Sequence, residues 1–163
     1  MNEVYLLIGG NMGNRLTYFI TAKLLIEIHI GKLVSESSIY ETEAWGMKDQ
    51  PGFLNQCLKI ESNLKPLEIL TQILKIEELL GRIRDLKYGP RYIDIDILFY
   101  NEEIVKTEQL TIPHPEIQNR KFALIPLNEL TQSLIHPVLN KKITELLENC
   151  TDNLDVKKFS GTK

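Results

Sequence analysis

The chain has 163 residues, 43% of them hydrophobic and 25% charged, with a formal net charge of −3. That length and apolar content suit one compact domain with a real core, and the slight acidity excludes a duplex-DNA coat or a polybasic membrane binder. No segment is long and apolar enough for a transmembrane helix, no charged-then-apolar leader precedes the strand-like VYLLIGG, and two cysteines, Cys57 and Cys150, make neither a disulfide framework nor a metal motif, as expected in a reducing cytoplasm.

Residues 4–8 form a short apolar run ended by Gly9 and Gly10, and read as a buried strand. Asn14 is placed to cap a helix reaching about Ile30, with Leu16, Phe19, Ile20, Leu24 and Ile28 on its apolar face; Gly31 stops it. Residues 32–42, rich in Ser, Val, Ile and Tyr, read as one strand. Residues 43–52 carry Trp, Met, Asp, Pro and Gly and read as a long loop. Residues 53–61 alternate and return to strand. Pro66 opens a second helix, whose apolar residues run from Leu67 to Leu80 and which ends at Gly81. A basic loop, RIRDLKYGPR, then leads into the strand YIDIDILFY.

The order β-α-β-β-α-β predicts an α+β fold: a ferredoxin-like core with one antiparallel sheet and both helices on one face. The remainder, with Pro-bounded turns in TIPHPEI and IHPVL, is expected to add short helices over 122–130 and 143–147. The polar tail, 152–163, is expected to fray. With no repeat, low-complexity stretch or linker, residues 1–163 read as a single domain.

The last strand of the core is unusual. Ile93, Ile95 and Ile97 alternate with Asp94 and Asp96, which sets two carboxylates side by side on one face, where they repel. At i and i+2 they make an oxygen cradle for Mg²⁺, which takes one or two carboxylates and fills its shell with water and substrate phosphates. Alone, the pair reads more readily as the polar side of a solvent-facing strand. Arg82, Arg84, Lys87 and Arg91 lie directly upstream. A metal on one side and guanidinium groups on the other suit a polyphosphate substrate, although a basic loop by itself is often only solvated.

Three further features stand out. His114 sits between two prolines in IPHPEIQNRKF, followed by Arg120 and Phe122; a lone His is more often structural than functional. IGGNMGN is a glycine-rich turn without the Walker Lys-Ser/Thr pair or G-x-G-x-x-G spacing, so Gly9 and Gly10 serve a close backbone approach. Trp45, Phe53 and Asn55 supply either an aromatic slot with an amide, suited to a flat heterocycle, or a loop anchor and a core residue.

Together, GPRYIDIDIL with its upstream cations, IGGNMGNR, SSIYETEAWG, DQPGFLN, GRIR and LTIPHPEIQNRKFALIPL resemble the 6-hydroxymethyl-7,8-dihydropterin pyrophosphokinase family. The resemblance implies transfer of the β,γ-diphosphate of ATP to the hydroxymethyl group of the dihydropterin, with release of AMP. It implies that Asp94 and Asp96 bind two Mg²⁺ ions and that Arg82 and Arg91 act on the transferring phosphates. Arg84, Lys87, Ile97, Thr111, His114 and Arg120 would serve the nucleotide. Gly9, Thr42, Glu43, Ala44, Trp45, Phe53, Asn55, Tyr88, Asp94 and Phe122 would bind the pterin, with Phe53 and Phe122 sandwiching its ring. The implied partners are ATP and the dihydropterin, with no nucleic acid and no membrane, for a monomeric cytoplasmic enzyme. Catalysis would be positioning plus charge neutralisation.

The sequence also departs from the family pattern. Gln109 stands where some members carry an arginine near ATP, Tyr88 where some carry Trp, and Glu43-Ala44 replace a Pro-Pro pair that would stiffen the loop. Loops 43–52 and 81–89 are expected to close over the substrates and exclude water. Two other readings compete. Another Mg²⁺-dependent nucleotidyl or phosphoryl transferase would not need Phe53, Asn55 and Phe122 together. A non-catalytic ferredoxin-like binding module would leave the aspartates unexplained.

Overall fold

The computed structural model describes residues 1–43, 51–81 and 92–160. In chain order the elements begin with β1 (Asn2–Gly10), α1 (Arg15–His29), β2 (Lys32–Glu36), β3 (Tyr40–Thr42), β4 (Phe53–Ser62), α2 (Pro66–Leu79) and β5 (Asp94–Tyr100). A small hairpin, β6 (Val105–Lys106) and β7 (Thr111–Ile112), follows, then a 3-10 turn at Ile117–Asn119. The chain closes with α3 (Lys121–Leu130), α4 (Ile143–Glu148) and β8 (Lys157–Lys158). The main sheet runs β5-β1-β4-β3-β8, with β2 also paired to β4, and every pairing in it is antiparallel. This is the expected βαββαβ core.

VYLLIGG is apolar without alternation because β1 is covered on both faces. On one face Val4, Leu6 and Ile8 pack with Leu54, Leu58 and Ile60 of β4 beneath α1 and α2. On the other, Tyr5, Leu7, Cys57, Leu98 and Phe99 pack beneath α3 and α4 through Ala123, Leu124, Leu127, Ile143 and Leu146. The C-terminal additions therefore form a third layer. That second face is where the candidate site lies.

Asn14 caps α1 as expected, its side chain accepting from the Thr17 amide. The rotational phase of α1 differs from the sequence reading. Phe19, Ala22 and Ile26 are buried, whereas Ile20, Leu24 and Ile28 remain 59%, 57% and 71% exposed. RLTYFITAKLLIEIH is apolar on more than one side, so period 3.6 alone accommodates either stripe. Docking on the sheet selects the one with Phe19, Ala22 and Ile26; in the turn before the helix Gly13 is left-handed (φ 65°), and a β-carbon there would meet the Tyr18 ring at 2.9 Å.

Two other expectations are corrected. Residues 32–42 form two strands, because Ser37 replaces a ladder rung. Its amide donates to the Cys57 carbonyl and its hydroxyl accepts from the Cys57 amide. Part of the tail expected to fray, residues 157–159, is held instead: β8 pairs with β3, and the Phe159 amide donates to the Ile39 carbonyl; residues 161–163 lie outside the described residues.

Candidate active site

Sheet register assembles the floor of the site. Gly9 lies opposite Asn55 on β4 and opposite Asp94 on β5, so Asp94, Gly9 and Asn55 form one row across three strands. Leu7 lies opposite Cys57 and Asp96 in the next row. Below these rows the face is closed by α3; at them α3 begins, and the face opens into a cavity of about 610 Å³. Gly9, Thr42, Phe53, Asn55, Asp94, Asp96, Arg120 and Phe122, all anticipated from sequence, line it. A second cavity of about 280 Å³ is lined by Ile97, Thr111, His114 and Gln109, among others. Asp96 lines both cavities.

Gly9 provides room rather than a phosphate grip. A β-carbon there would sit 2.5 Å from Asn55 Oδ1. The rest of the glycine-rich turn ties neighbouring segments together: Asn11, itself buried, donates to the Pro51 carbonyl at 3.1 Å. Arg15 pairs with Glu41 at 2.6 Å and donates to the Gly52 carbonyl at 2.8 Å.

β5 presents Asp94 and Asp96 because Ile95 and Ile97 turn into the helix-side core. A residue missed from sequence, Glu77 of α2, is buried and accepts from the Ile95 amide at 2.8 Å, the peptide between the two aspartates. β5 is the sheet's edge strand, so this carboxylate satisfies an outward-pointing amide. The signal was legible: Ile69, Ile73 and Glu77 fall at i, i+4 and i+8 on the core stripe, where a charged residue is unexpected.

A bulge in β5 positions His114. The register shifts between Tyr5 and Leu6, and the Leu98 carbonyl accepts from the His114 amide. His114 Nδ1 accepts from the Glu116 amide at 3.1 Å, which leaves its proton on Nε2. Burial, reinforced by the nearby Arg120 charge, pushes the imidazole pKa down to about 4, so it is a neutral donor at pH 7. Arg120 lies over the Phe122 ring, 5.8 Å from its centroid, and lines the larger cavity rather than the His114 one.

Glu43 is exposed and does not line either cavity. Ala44, Trp45, Arg82, Arg84, Lys87, Tyr88 and Arg91 lie outside the described residues. Sequence reasoning also missed the C-terminal residues Thr151, Asp152 and Leu154, which line the larger cavity; no motif marks them.

A family model described as 7,8-dihydro-6-hydroxymethylpterin-pyrophosphokinase (HPPK) matches residues 5–132. The chain is 42% identical over 147 residues to the 2-amino-4-hydroxy-6-hydroxymethyldihydropteridine pyrophosphokinase of Aquifex aeolicus, covering 89% of this chain and 90% of that one. It is 38% identical over 154 residues to the folic acid synthesis protein fol1 of Pneumocystis carinii, covering 94% of this chain and 21% of that protein. The crystal structure of wild-type Plasmodium falciparum HPPK-DHPS with pterin and p-hydroxybenzoate superposes with a TM-score of 0.71 at 21% identity, over 90% of this chain and 42% of that one. At that identity the likeness is one of fold. The chain spans less than half the length of the solved chain and about a fifth of the Pneumocystis protein, but nearly all of the Aquifex enzyme.

Proposed function

The chain belongs to the 7,8-dihydro-6-hydroxymethylpterin-pyrophosphokinase family, and from that premise we propose how its residues carry the pyrophosphokinase step of folate biosynthesis. The enzyme transfers a diphosphate group from ATP to the hydroxymethyl group of 6-hydroxymethyl-7,8-dihydropterin. The pterin occupies the larger cavity. Phe53 and Phe122 take the faces of its ring, and Asn55 and Thr42 pair with its polar edge. The ATP phosphates occupy the smaller cavity, where Ile97 supplies apolar surface and Thr111 a hydroxyl, and His114 Nε2–H donates to a phosphate oxygen.

The observation that carries this reading is that Asp96 lines both cavities, with Asp94 beside it on the larger one. Their donor set is all oxygen and on one strand face, which suits Mg²⁺. Asp94 and Asp96 would hold two such ions, whose charge would neutralise the phosphates during transfer. The pterin hydroxyl oxygen attacks the β-phosphorus as the bond from that phosphorus to the α,β-bridging oxygen breaks. AMP departs with the bridging oxygen, and the hydroxyl proton passes to solvent. Arg82 and Arg91 would grip the transferring phosphates, with Arg84 and Lys87 adding charge. Ala44, Trp45 and Tyr88 would cover the pterin. We read the enzyme as a cytoplasmic monomer, in keeping with its two free cysteines.

The test is product identity. AMP, not ADP, should form from ATP only when both the dihydropterin and Mg²⁺ are supplied. ADP as product, or turnover without the pterin, would overturn the reading.

A further inference from the structure

We propose that the C-terminal segment forms the outer wall of the larger cavity and that Asp152 is a positioning residue for the substrate held there; this rests on the pterin occupying that cavity. Asp152 accepts two backbone amides from two different segments. Its Oδ2 takes the Lys121 amide at 3.0 Å and its Oδ1 takes the Leu154 amide at 3.0 Å. Lys121 is the first residue of α3, and α3 has no side-chain cap of its own from Arg120. A carboxylate there both satisfies an orphan amide and complements the helix dipole. The residues on either side of Lys121 are Arg120 and Phe122, both in the cavity wall. Asp152 therefore sets the angle at which these two side chains enter the site.

The other oxygen folds the segment back over the cavity, where Thr151, Asp152 and Leu154 join its lining. Beyond Leu154 the chain reaches β3: Tyr40 pairs with Lys158 and Glu41 with Lys157. Arg15 stands over the Phe159 ring, 5.4 Å from its centroid. β3 carries Thr42, on the opposite wall. The segment thus ties the α3 wall to the β3 wall across the cavity mouth. α3 has a separate anchor at its far end, where Glu129 accepts from the Ser38 amide and hydroxyl and from Tyr40 Oη. Losing the Asp152 contact therefore loosens the first turn of α3 without detaching the helix.

The experiment measures AMP formation with pterin and ATP varied separately, direct pterin binding by calorimetry, and thermal melting. Asp152→Ala is expected to raise the KM for the dihydropterin about tenfold, the equivalent of one well-placed hydrogen bond, with the KM for ATP within about twofold of wild type. Asp152→Asn keeps one acceptor oxygen and should recover part of the loss. A purely structural Asp152 would lower the melting temperature and leave the pterin KM unchanged, and that result overturns the proposal. Should Asp152→Ala not fold, Asp152→Asn and Leu154→Ala decide: wild-type pterin KM and affinity in both would sink the idea. The wild-type enzyme is the control that separates this from the functional reading, since its failure to make AMP with the dihydropterin would defeat that reading first.

Discussion

Gly9→Ala isolates one contact in the floor of the site. Gly9 lies between Asn55 and Asp94 in register, and its backbone is not in the left-handed region, so alanine is sterically permitted by the chain itself. The obstacle is local: the new methyl carbon would stand 2.5 Å from Asn55 Oδ1 and 3.2 Å from the Leu54 carbonyl oxygen, where ordinary contact begins near 3.4 Å. The Asn55 amide must retreat by about 1 Å or rotate, which misplaces its hydrogen bonds to the pterin edge. An unpaired polar edge costs about 1–3 kcal/mol, so the KM for the dihydropterin should rise by about 10- to 100-fold while the KM for ATP stays put. Stability should change little, because alanine in a strand regains about 0.5–1 kcal/mol over glycine and offsets the strain. Steady-state AMP formation and thermal melting measure both effects. A double-mutant cycle sharpens the attribution: in an Asn55→Ala background the second substitution should cost almost nothing. A wild-type pterin KM in Gly9→Ala, or an equal penalty in both backgrounds, refutes the argument.

Asp94→Asn and Asp96→Asn should each lower kcat by on the order of 10³-fold. Both should keep a cooperative thermal melt without metal; loss of fold in either would point to a structural role instead. Gln109→Arg adds a guanidinium to the smaller cavity and should lower the KM for ATP several-fold with the pterin KM unchanged; an unaltered ATP dependence would count against phosphates lying there. His114 has a folded pKa pushed down to about 4 by burial and by Arg120, against about 6.5 unfolded. Its neutral form is favoured by folding, so its contribution is fully present above pH 6.5 and is lost as pH falls from there toward 4. Between pH 7 and pH 5 that amounts to about 2 kcal/mol. His136, also held down by burial, adds in the same direction. Denaturant titrations of the ligand-free protein at the two pH values should show a shallower loss in His114→Asn than in wild type; parallel losses would contradict the assignment.

Much of the site was legible because it rides on regular periods. A strand repeats every two residues, so Asp94 and Asp96 had to share a face, and Gly9, Phe53 and Asn55 could be placed on neighbouring strands. Helix α1 was less legible, because a helix apolar around most of its circumference fits two burial stripes, and only its docking on the sheet through Phe19, Ala22 and Ile26 distinguishes them. The break at Ser37 depended on a hydroxyl finding the Cys57 amide twenty residues away. Asp152 carries only the local signal of a turn to Leu154; its other partner is a helix start thirty-one positions earlier, which nothing nearby announces.

The sequence by itself determined the order of elements, the paired carboxylates and the family, since these rest on spacing between near neighbours and on motifs read in line. Only the tertiary structure decided that Asp96 faces two cavities, that Glu77 holds the peptide between the aspartates, and that residues of a polar tail line the larger cavity. Each of those joins residues distant along the chain, and register and helix docking, rather than local preference, bring such residues together.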